Sequence, residues 1–418
     1  MRDLLFLSHR IPYPADKGDK IRSFHILKHL SSRFRIHLGC FYDDPRDGGH
    51  YGALRELCAE VFCLPIRPPD RYGRALKALM RGQAISQACC QDPRMSAWVA
   101  STLSRGNISD IFLFCTTTWP YVSTRTPGIR VITDMVDVDS EKWGAFADSA
   151  PWPLRQIYRR EQRKIFALER LAAADSDYCL FVSEEEAGTF ARMAPDTGRL
   201  RHINNGVDLE KFDWTRRLSS PFDVGSAPIV FTGMMNYRPN IEAVTWFAEE
   251  ILPAVRRTHP HAVFWIVGAQ PAAAVRHLAD LAGVRVTGRV DDVRPYLSNA
   301  SCVIAPLRIG RGVQNKVLEA MAMAKPVVLT PAALEGLDAA SEREVLVAED
   351  APAFARNVSE VIAGKWDHLG AAARAKVEAD HLWHKNLEVL DTLFAPAPSR
   401  ADCALALDAA TPRSEVTW

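Results

Sequence analysis

The sequence predicts an α/β protein built from two doubly wound, mostly parallel sheets, and three observations carry that prediction. The chain has 418 residues, more than one ordinary domain holds and suited to two. Short apolar runs alternate with segments of helical period from Leu4 onward, and the alternation restarts at Pro228 after a polar stretch containing Ser219, Ser220, Pro221 and Gly225. Glycines stand just beyond the carboxyl ends of predicted strands, at Gly18, Gly233, Gly310 and Gly312, where open parallel sheets place their ligands.

In the first half, Leu4 to Ser8 reads as a buried strand and His9 to Asp19 as the loop after it. A helix follows in which Ile21, Phe24, Leu27 and Leu30 share a face. The loop sequence PADKGDKIR sets Gly18 among Lys17, Lys20 and Arg22, a turn able to approach a phosphate or sugar and equally able to be a plain turn with solvated lysines. Phe34 to Cys40, Val61 to Leu64, Ile111 to Cys115 and Val131 to Asp134 are the next strands. Between Tyr72 and Gly82, Arg74, Lys77 and Arg81 oppose Leu76, Leu79 and Met80. This short basic amphipathic helix suits either an anionic lipid surface or, the reading favoured here, a solvated surface helix.

The Val131 strand runs into an acidic loop, DMVDVDSEKW. Asp134, Asp137 and Asp139 can orient an acceptor hydroxyl or a departing proton, and neighbouring carboxylates raise one another's pKa for such work. Asp139 or Ser140 can instead cap a helix. The Asp-x-Asp spacing of Asp137 and Asp139 is a weak metal-binding signal that Asp175 and Asp177 match equally, and no metal site is expected. A long helix from about Pro153 to Ala173 is expected to turn Ile157, Ile165, Leu168 and Leu171 inward. Tyr178 to Val182 is a strand, and Asn205-Gly206 is the turn that closes the first domain at residue 208.

Residues 209–227 read as a linker and 228–380 as the second domain. Its strands are Ile229 to Thr232, Ala262 to Val267, Val284 to Thr287, Cys302 to Ala305, Val327 to Leu329 and one near Val345 to Val347, with helices among them. Gly233 marks a tight turn after the first of these. Arg238, in the GMMNYRPN loop, can reach a diphosphate or pair on the surface.

The richest stretch is SCVIAPLRIGRGVQNKVLEAMAMAKPVVL. Gly310 and Gly312 allow a close backbone approach, the helix starting near Val313 offers free N–H groups to an anion, and Arg308, Arg311 and Lys316 add positive charge. Glu319 lies six residues after Val313, roughly 9 Å along the axis, so a nucleotide with its phosphates on the helix start brings its ribose diol to that carboxylate. Lys316 and Glu319 are also spaced to pair with each other on an exposed face. Residues 381–394 form a last helix whose Trp383, Leu387, Leu390 and Phe394 need a partner surface, and 395–418 reads as a disordered tail.

Composition narrows the function. The formal net charge of +1 gives no field for nucleic acid, so no nucleic-acid partner is expected. Nine cysteines without a Cys-x-x-Cys pair fit reduced thiols in a cytoplasmic protein and not a zinc site. No apolar run is long enough for a membrane span, and the amino-terminal run is too short for a signal peptide.

Taken in order, several segments resemble the two-domain GT-B glycosyltransferases, specifically the large retaining group called family 4, glycosyl transferases group 1. They are the Pro-x-x-Lys-Gly-Asp loop, Val182-Ser183-Glu184, Asn205-Gly206-Val207-Asp208, Phe231-Thr232-Gly233, Val267-Gly268, Gly288-Arg289-Val290, Val317-Leu318-Glu319-Ala320-Met321-Ala322 and Lys325-Pro326-Val327-Val328. The first segment and Asp134 to Trp143 more narrowly resemble the sugar transferases of PEP-CTERM/exosortase-associated exopolysaccharide systems. The resemblance implies two Rossmann-like domains facing a cleft, with a carboxyl-terminal helix crossing back to the first. It implies a nucleotide-sugar donor on the second domain with Glu319 on its ribose, and a lipid-linked or oligosaccharide acceptor on the first. It also implies hexosyl transfer without metal or cofactor, since basic side chains and a helix dipole stabilise the departing diphosphate. The expected location is the cytoplasm, extending at most to peripheral contact with the inner membrane.

The expected donor contacts are Gly233, Arg238, Arg308, Gly310, Gly312, Val313, Lys316 and Glu319. The catalytic candidates are Asp137, Lys316 and Arg311, and the acceptor-side candidates are Lys17, Gly18, Asp134 and Asp139. The chain departs from the family where relatives carry a second glutamate, here Arg311, and where they carry an arginine and a lysine, here Met234 and Pro239. It also has Asp137 where relatives often have histidine. An epimerase on the same fold and a non-catalytic nucleotide-sugar-binding subunit are the alternatives.

Overall fold

The computed structural model describes residues 1–125, 127–309 and 313–395. The expectations for Gly310, Arg311 and Gly312, and for the tail beyond Ala395, fall outside the described residues.

The first domain is a seven-stranded parallel sheet in the order β3-β2-β1-β4-β5-β6-β7. Its strands are β1 (Arg2–Ser8), β2 (Phe34–Tyr42), β3 (Glu60–Pro65), β4 (Ile108–Phe114), β5 (Arg130–Val136), β6 (Tyr178–Phe181) and β7 (Leu200–His202). The second sheet has six parallel strands in the order β10-β9-β8-β11-β12-β13. These are β8 (Ala227–Thr232), β9 (Ala262–Val267), β10 (Val284–Gly288), β11 (Cys302–Ala305), β12 (Val327–Leu329) and β13 (Leu346–Val347). Strands such as Leu4 to Leu7 and Cys302 to Ala305 are buried along their whole length, because helices cover both faces of each sheet. In each sheet the strand order reverses beside the first strand, between β1 and β4 and between β8 and β11. Doubly wound sheets place their ligands at such switch points, outside the carboxyl ends of the strands.

The last helix, Trp383–Leu393, leaves the second domain and covers the first. Its Leu387 and Leu390, with Phe394 just beyond, join Leu4, Phe6, Leu27 and Ile36 in one apolar core, and Trp383 stacks on His25 with ring centroids 4.6 Å apart. Gly206 is required at this crossing, since a Cβ there would lie 2.6 Å from the Trp383 nitrogen.

Two helix expectations need correcting. In helix Leu154–Asp175, Ile165 and Leu168 are buried, but Ile157 and Leu171 are 42% and 56% exposed, because only one narrow stripe of this helix meets the sheet. Helix Asn315–Ala322 starts two residues later than expected, since Gln314 is extended and acts as its amino cap.

Candidate functional site

A small cradle, where the sequence places the donor contacts, forms where β8, β9 and the Asn315 helix converge. Gly233 follows β8 at φ 155°, and a Cβ there would come 2.8 Å from Asn240 Nδ2 and 3.3 Å from Lys316 Nζ. Gly268, at the end of β9, lies closer still: its Cβ would be 1.7 Å from the Gly233 carbonyl oxygen. Two glycines therefore let both strand ends and the lysine share one small space.

Lys316 Nζ donates to Asn240 Oδ1 at 2.6 Å and lies 4.3 Å from the centre of the Phe231 ring. Asn240 is fixed in turn by donating Nδ2 to the Met234 carbonyl at 2.9 Å. Burial pulls the Lys316 ammonium down to about 7, against the opposing pull of Glu319. Burial pushes Glu319 up to about 7, against Lys211 and Lys316. Among the described residues no group donates a hydrogen bond to the Glu319 carboxylate. The pair is thus a desolvated acid and a desolvated base, each near its midpoint at neutral pH and one helical turn apart.

Other expected donor contacts are placed differently. Arg238 lies in the first turn of its helix and turns toward the first domain. It pairs with Glu242 at 2.7 Å, donates to Ser149 Oγ at 2.9 Å and rests 5.5 Å from the Phe146 ring centre. It bridges the domains and is not turned to the cradle. Arg308 is exposed and sits over Trp246 at 5.6 Å. The Val313 side chain packs in the domain core, leaving only its backbone for a ligand.

Across the cleft, helix Gly18–Ser31 begins opposite the Asn315 helix. A Cβ on Gly18 would lie 3.3 Å from Asn315 Nδ2. Lys17 precedes that helix, half-buried and near Asp44. Lys20, expected as a loop cation, is fully buried and paired with Asp47 at 2.8 Å. Asp134 is not an acceptor-side carboxylate: it is completely buried in a two-pronged pair with Arg22, Nε to Oδ2 at 2.8 Å and Nη2 to Oδ1 at 3.2 Å. Its sequence neighbours could not reveal this, because the partner lies 112 residues away.

That pair supports a strained loop. Val136 is held at φ 68° and Cys115, at the end of the adjacent β4, at φ 74°. Each costs roughly 1–3 kcal/mol, more for a β-branched residue. Asp134 Oδ1 accepts from the Val136 N–H (3.1 Å) and Glu186 from the Val138 N–H (2.7 Å), which fixes the turn that presents Asp137. Burial pushes the Asp137 carboxyl up to about 7. Lys142 and Arg22 oppose this, while Glu186 and Asp139 add to it. Asp139 opens helix Asp139–Asp148 and lies 3.7 Å from Lys142 Nζ.

Sequence reasoning passed over Lys142 and Asn240. Lys142 Nζ stands 5.8 Å from the ring centre of Tyr237 on the second domain. Its signal was its place three residues after Asp139. Asn240 had only its position after an Arg-Pro pair. Among the described residues no cluster of three or more His, Cys, Asp or Glu side chains is arranged to hold a metal ion. No described helix is long and apolar enough to cross a membrane.

Residues 227–364 match the family model described as glycosyl transferases group 1. Among solved structures, sucrose-phosphate synthase from Thermosynechococcus elongatus superposes with a TM-score of 0.70 at 17% identity, over 98% of this chain and 100% of that one. HepE from Anabaena, in complex with UDP and glucose, gives 0.65 at 14% identity over 94% and 99%. WaaG, a glycosyltransferase involved in lipopolysaccharide biosynthesis, gives 0.65 at 14% over 94% and 100%. No curated protein matches the chain in a sequence comparison. The architecture is the GT-B fold of these structures, and within it residues 227–364 match glycosyl transferases group 1. The second domain is the one that carries the group 1 signature.

Proposed function

We propose that the chain transfers a hexose-type sugar from a nucleoside-diphosphate sugar to a lipid-linked or oligosaccharide acceptor, with retention of configuration, in bacterial exopolysaccharide or cell-envelope synthesis. The observation that carries this reading is the Lys316–Glu319 pair at the start of the Asn315 helix, held over a floor that only glycine permits at positions 233 and 268. Diphosphate on the helix start and Lys316 returns full positive charge to that lysine, and Glu319, ionised, accepts from the ribose diol. As the bond to the sugar breaks, Lys316 and the helix N–H groups stabilise the negative charge developing on the leaving diphosphate.

Asp137 is the group suited to take the acceptor's hydroxyl proton, since burial leaves it half-protonated near neutral pH. Lys142, between Asp139 and Tyr237, supplies positive charge from the first domain beside a loop whose own Arg238 is engaged elsewhere. Contacts across the cleft, Arg289 to Asp16 at 3.3 Å and Arg238 to Ser149 at 2.9 Å, fit a closed arrangement that excludes water from the donor.

The HepE complex with UDP-glucose makes that nucleotide sugar the first donor to try. The test is a donor screen following nucleoside diphosphate release, with and without membrane extract and with EDTA. The reading predicts release that depends on acceptor and survives EDTA. Release without any acceptor would point to hydrolysis or epimerisation, and a strict metal requirement would contradict the proposed stabilisation by Lys316 and helix alone.

A further inference from the structure

Helix Pro68–Met80 is amphipathic with its apolar side turned the wrong way for a solvated helix. Ala78 is buried against the domain, whereas Leu76, Leu79 and Met80 are 60%, 45% and 74% exposed. Positions 76, 79 and 80 share one outward face. A second apolar group opens helix Leu154–Asp175: Trp152 is 80% exposed, Leu154 44% and Ile157 42%.

The two groups adjoin. Leu154, Ile157, Arg160 and Lys164 follow one another at helical spacing. Arg160 Nη2 donates to the Gln83 carbonyl just past the first helix at 2.9 Å, and Lys164 Nζ lies 3.8 Å from where a Gly82 Cβ would sit. The stripe carrying Leu154 and Ile157 therefore runs up to the end of the helix carrying Leu79 and Met80.

Charge decides the occupant. Lys77, Arg81, Arg155, Arg163 and Lys164 are all exposed around these apolar side chains. From 73 to 86 there is no acid, and from 149 to 164 the single acid, Glu161, is buried, accepting from the Ser86 and Ile85 N–H groups at 2.8 and 3.0 Å. At the border Asp148 is occupied by Arg159. A chain with a formal net charge of only +1 has thus gathered cations around a ring of exposed leucine, methionine, isoleucine and tryptophan. That pattern matches an anionic lipid surface, with the apolar side chains in the acyl boundary and the cations at the headgroups.

We infer that the outward face formed by Leu76, Leu79 and Met80 and that of residues 152–157 form one docking surface for an anionic bilayer. Residue 152 stands three residues beyond Ser149, which holds Arg238 across the cleft, so a docked membrane borders the acceptor side. That it delivers a lipid-linked acceptor rests on the function proposed above; the docking itself does not.

The test is co-sedimentation of the full chain with phosphatidylcholine vesicles, with and without phosphatidylglycerol. Light scattering gives the oligomeric state, and calorimetry gives UDP affinity. The expected result is binding to the anionic vesicles alone, weakened by salt and reduced about tenfold or more by Met80→Glu and separately by Ile157→Glu. Both variants should keep wild-type thermal stability and UDP affinity. Wild type that ignores anionic vesicles, equal binding to neutral vesicles, or full binding by both variants would overturn the inference. So would a wild-type dimer that Met80→Glu dissociates, which would assign the face to a second copy. Wild type that binds anionic vesicles but no nucleoside diphosphate of any base would instead sink the donor reading and leave the docking surface standing.

Discussion

Asn205 of the first domain donates Nδ2 to Asn315 Oδ1 at 3.1 Å, at the very start of the helix that carries Lys316 and Glu319. Asn205 is itself held from behind, its Oδ1 accepting from Arg22 Nη1 at 3.0 Å, and Arg22 is locked to Asp134. Its carbonyl faces His381 Nδ1 at 3.0 Å, on the segment that crosses back between domains. The buried ion pair of one domain is thereby coupled to the Asn315 helix of the other. Asn205→Ala removes both side-chain bonds, and the expected outcome is about 1–3 kcal/mol less stability in denaturant unfolding. A several-fold higher KM for the donor should accompany it. An unaltered donor KM would mean the contact does not position the helix.

Asp137 has the environment of a proton-transfer group, and Asp137→Asn is expected to lower kcat by about 10²–10⁴-fold with little change in donor KM. As a base Asp137 must be ionised, and its pKa is raised to about 7. The wild-type kcat therefore falls as pH drops below about 7, and the variant lacks that acid limb. A pH–rate profile for both proteins checks this, and an unchanged acid limb in the variant would assign the proton to another group.

Donor affinity should itself depend on pH. Lys316, lowered to about 7, is charged below that pH and loses its hold on diphosphate as pH rises through it. Glu319, raised to about 7, is ionised above that pH and loses its ribose bonds as pH falls through it. The association constant for nucleoside diphosphate is expected to peak near neutrality and fall on both sides, as calorimetry across about pH 5.5 to 8.5 would show. Lys316→Met should remove the alkaline fall and leave the acid one.

Gly268→Ala tests the floor of the cradle. The new Cβ would overlap the Gly233 carbonyl oxygen at 1.7 Å, and since that oxygen is backbone the strand ends must part. Overpacking of this kind costs typically about 1–3 kcal/mol. The expected result is a lower thermal midpoint together with weaker nucleotide binding. A stable variant with full affinity would show that the two strand ends need not touch.

Most strands were legible in the sequence because burial on both faces leaves short continuous apolar runs such as Leu4 to Leu7 and Cys302 to Ala305, while β7 was not foreseen. The cradle was legible in part. Gly233 and Lys316 are local features of turn and helix, but Asn240, which fixes the lysine, lies 76 residues from it. Charged residues are hardest to read where their partners are remote in sequence. Asp134 reads as an available carboxylate because its partner Arg22 lies 112 residues away, and nothing local chooses between a diphosphate and a surface pair for Arg238, whose Ser149 contact lies 89 residues away. The orientation of helix Pro68–Met80 was likewise invisible. Periodicity gives an apolar face but not the direction it points.

The most direct test is calorimetric titration of UDP and UDP-glucose into wild type, Lys316→Ala and Glu319→Ala. Glu319 ionises against its own burial, so its removal should leave the ligand-free fold intact by circular dichroism. Each substitution is predicted to weaken a nucleotide that wild type binds by about tenfold or more, the loss expected for a charged hydrogen bond. Undiminished affinity in both variants would contradict the assignment of this helix to the donor.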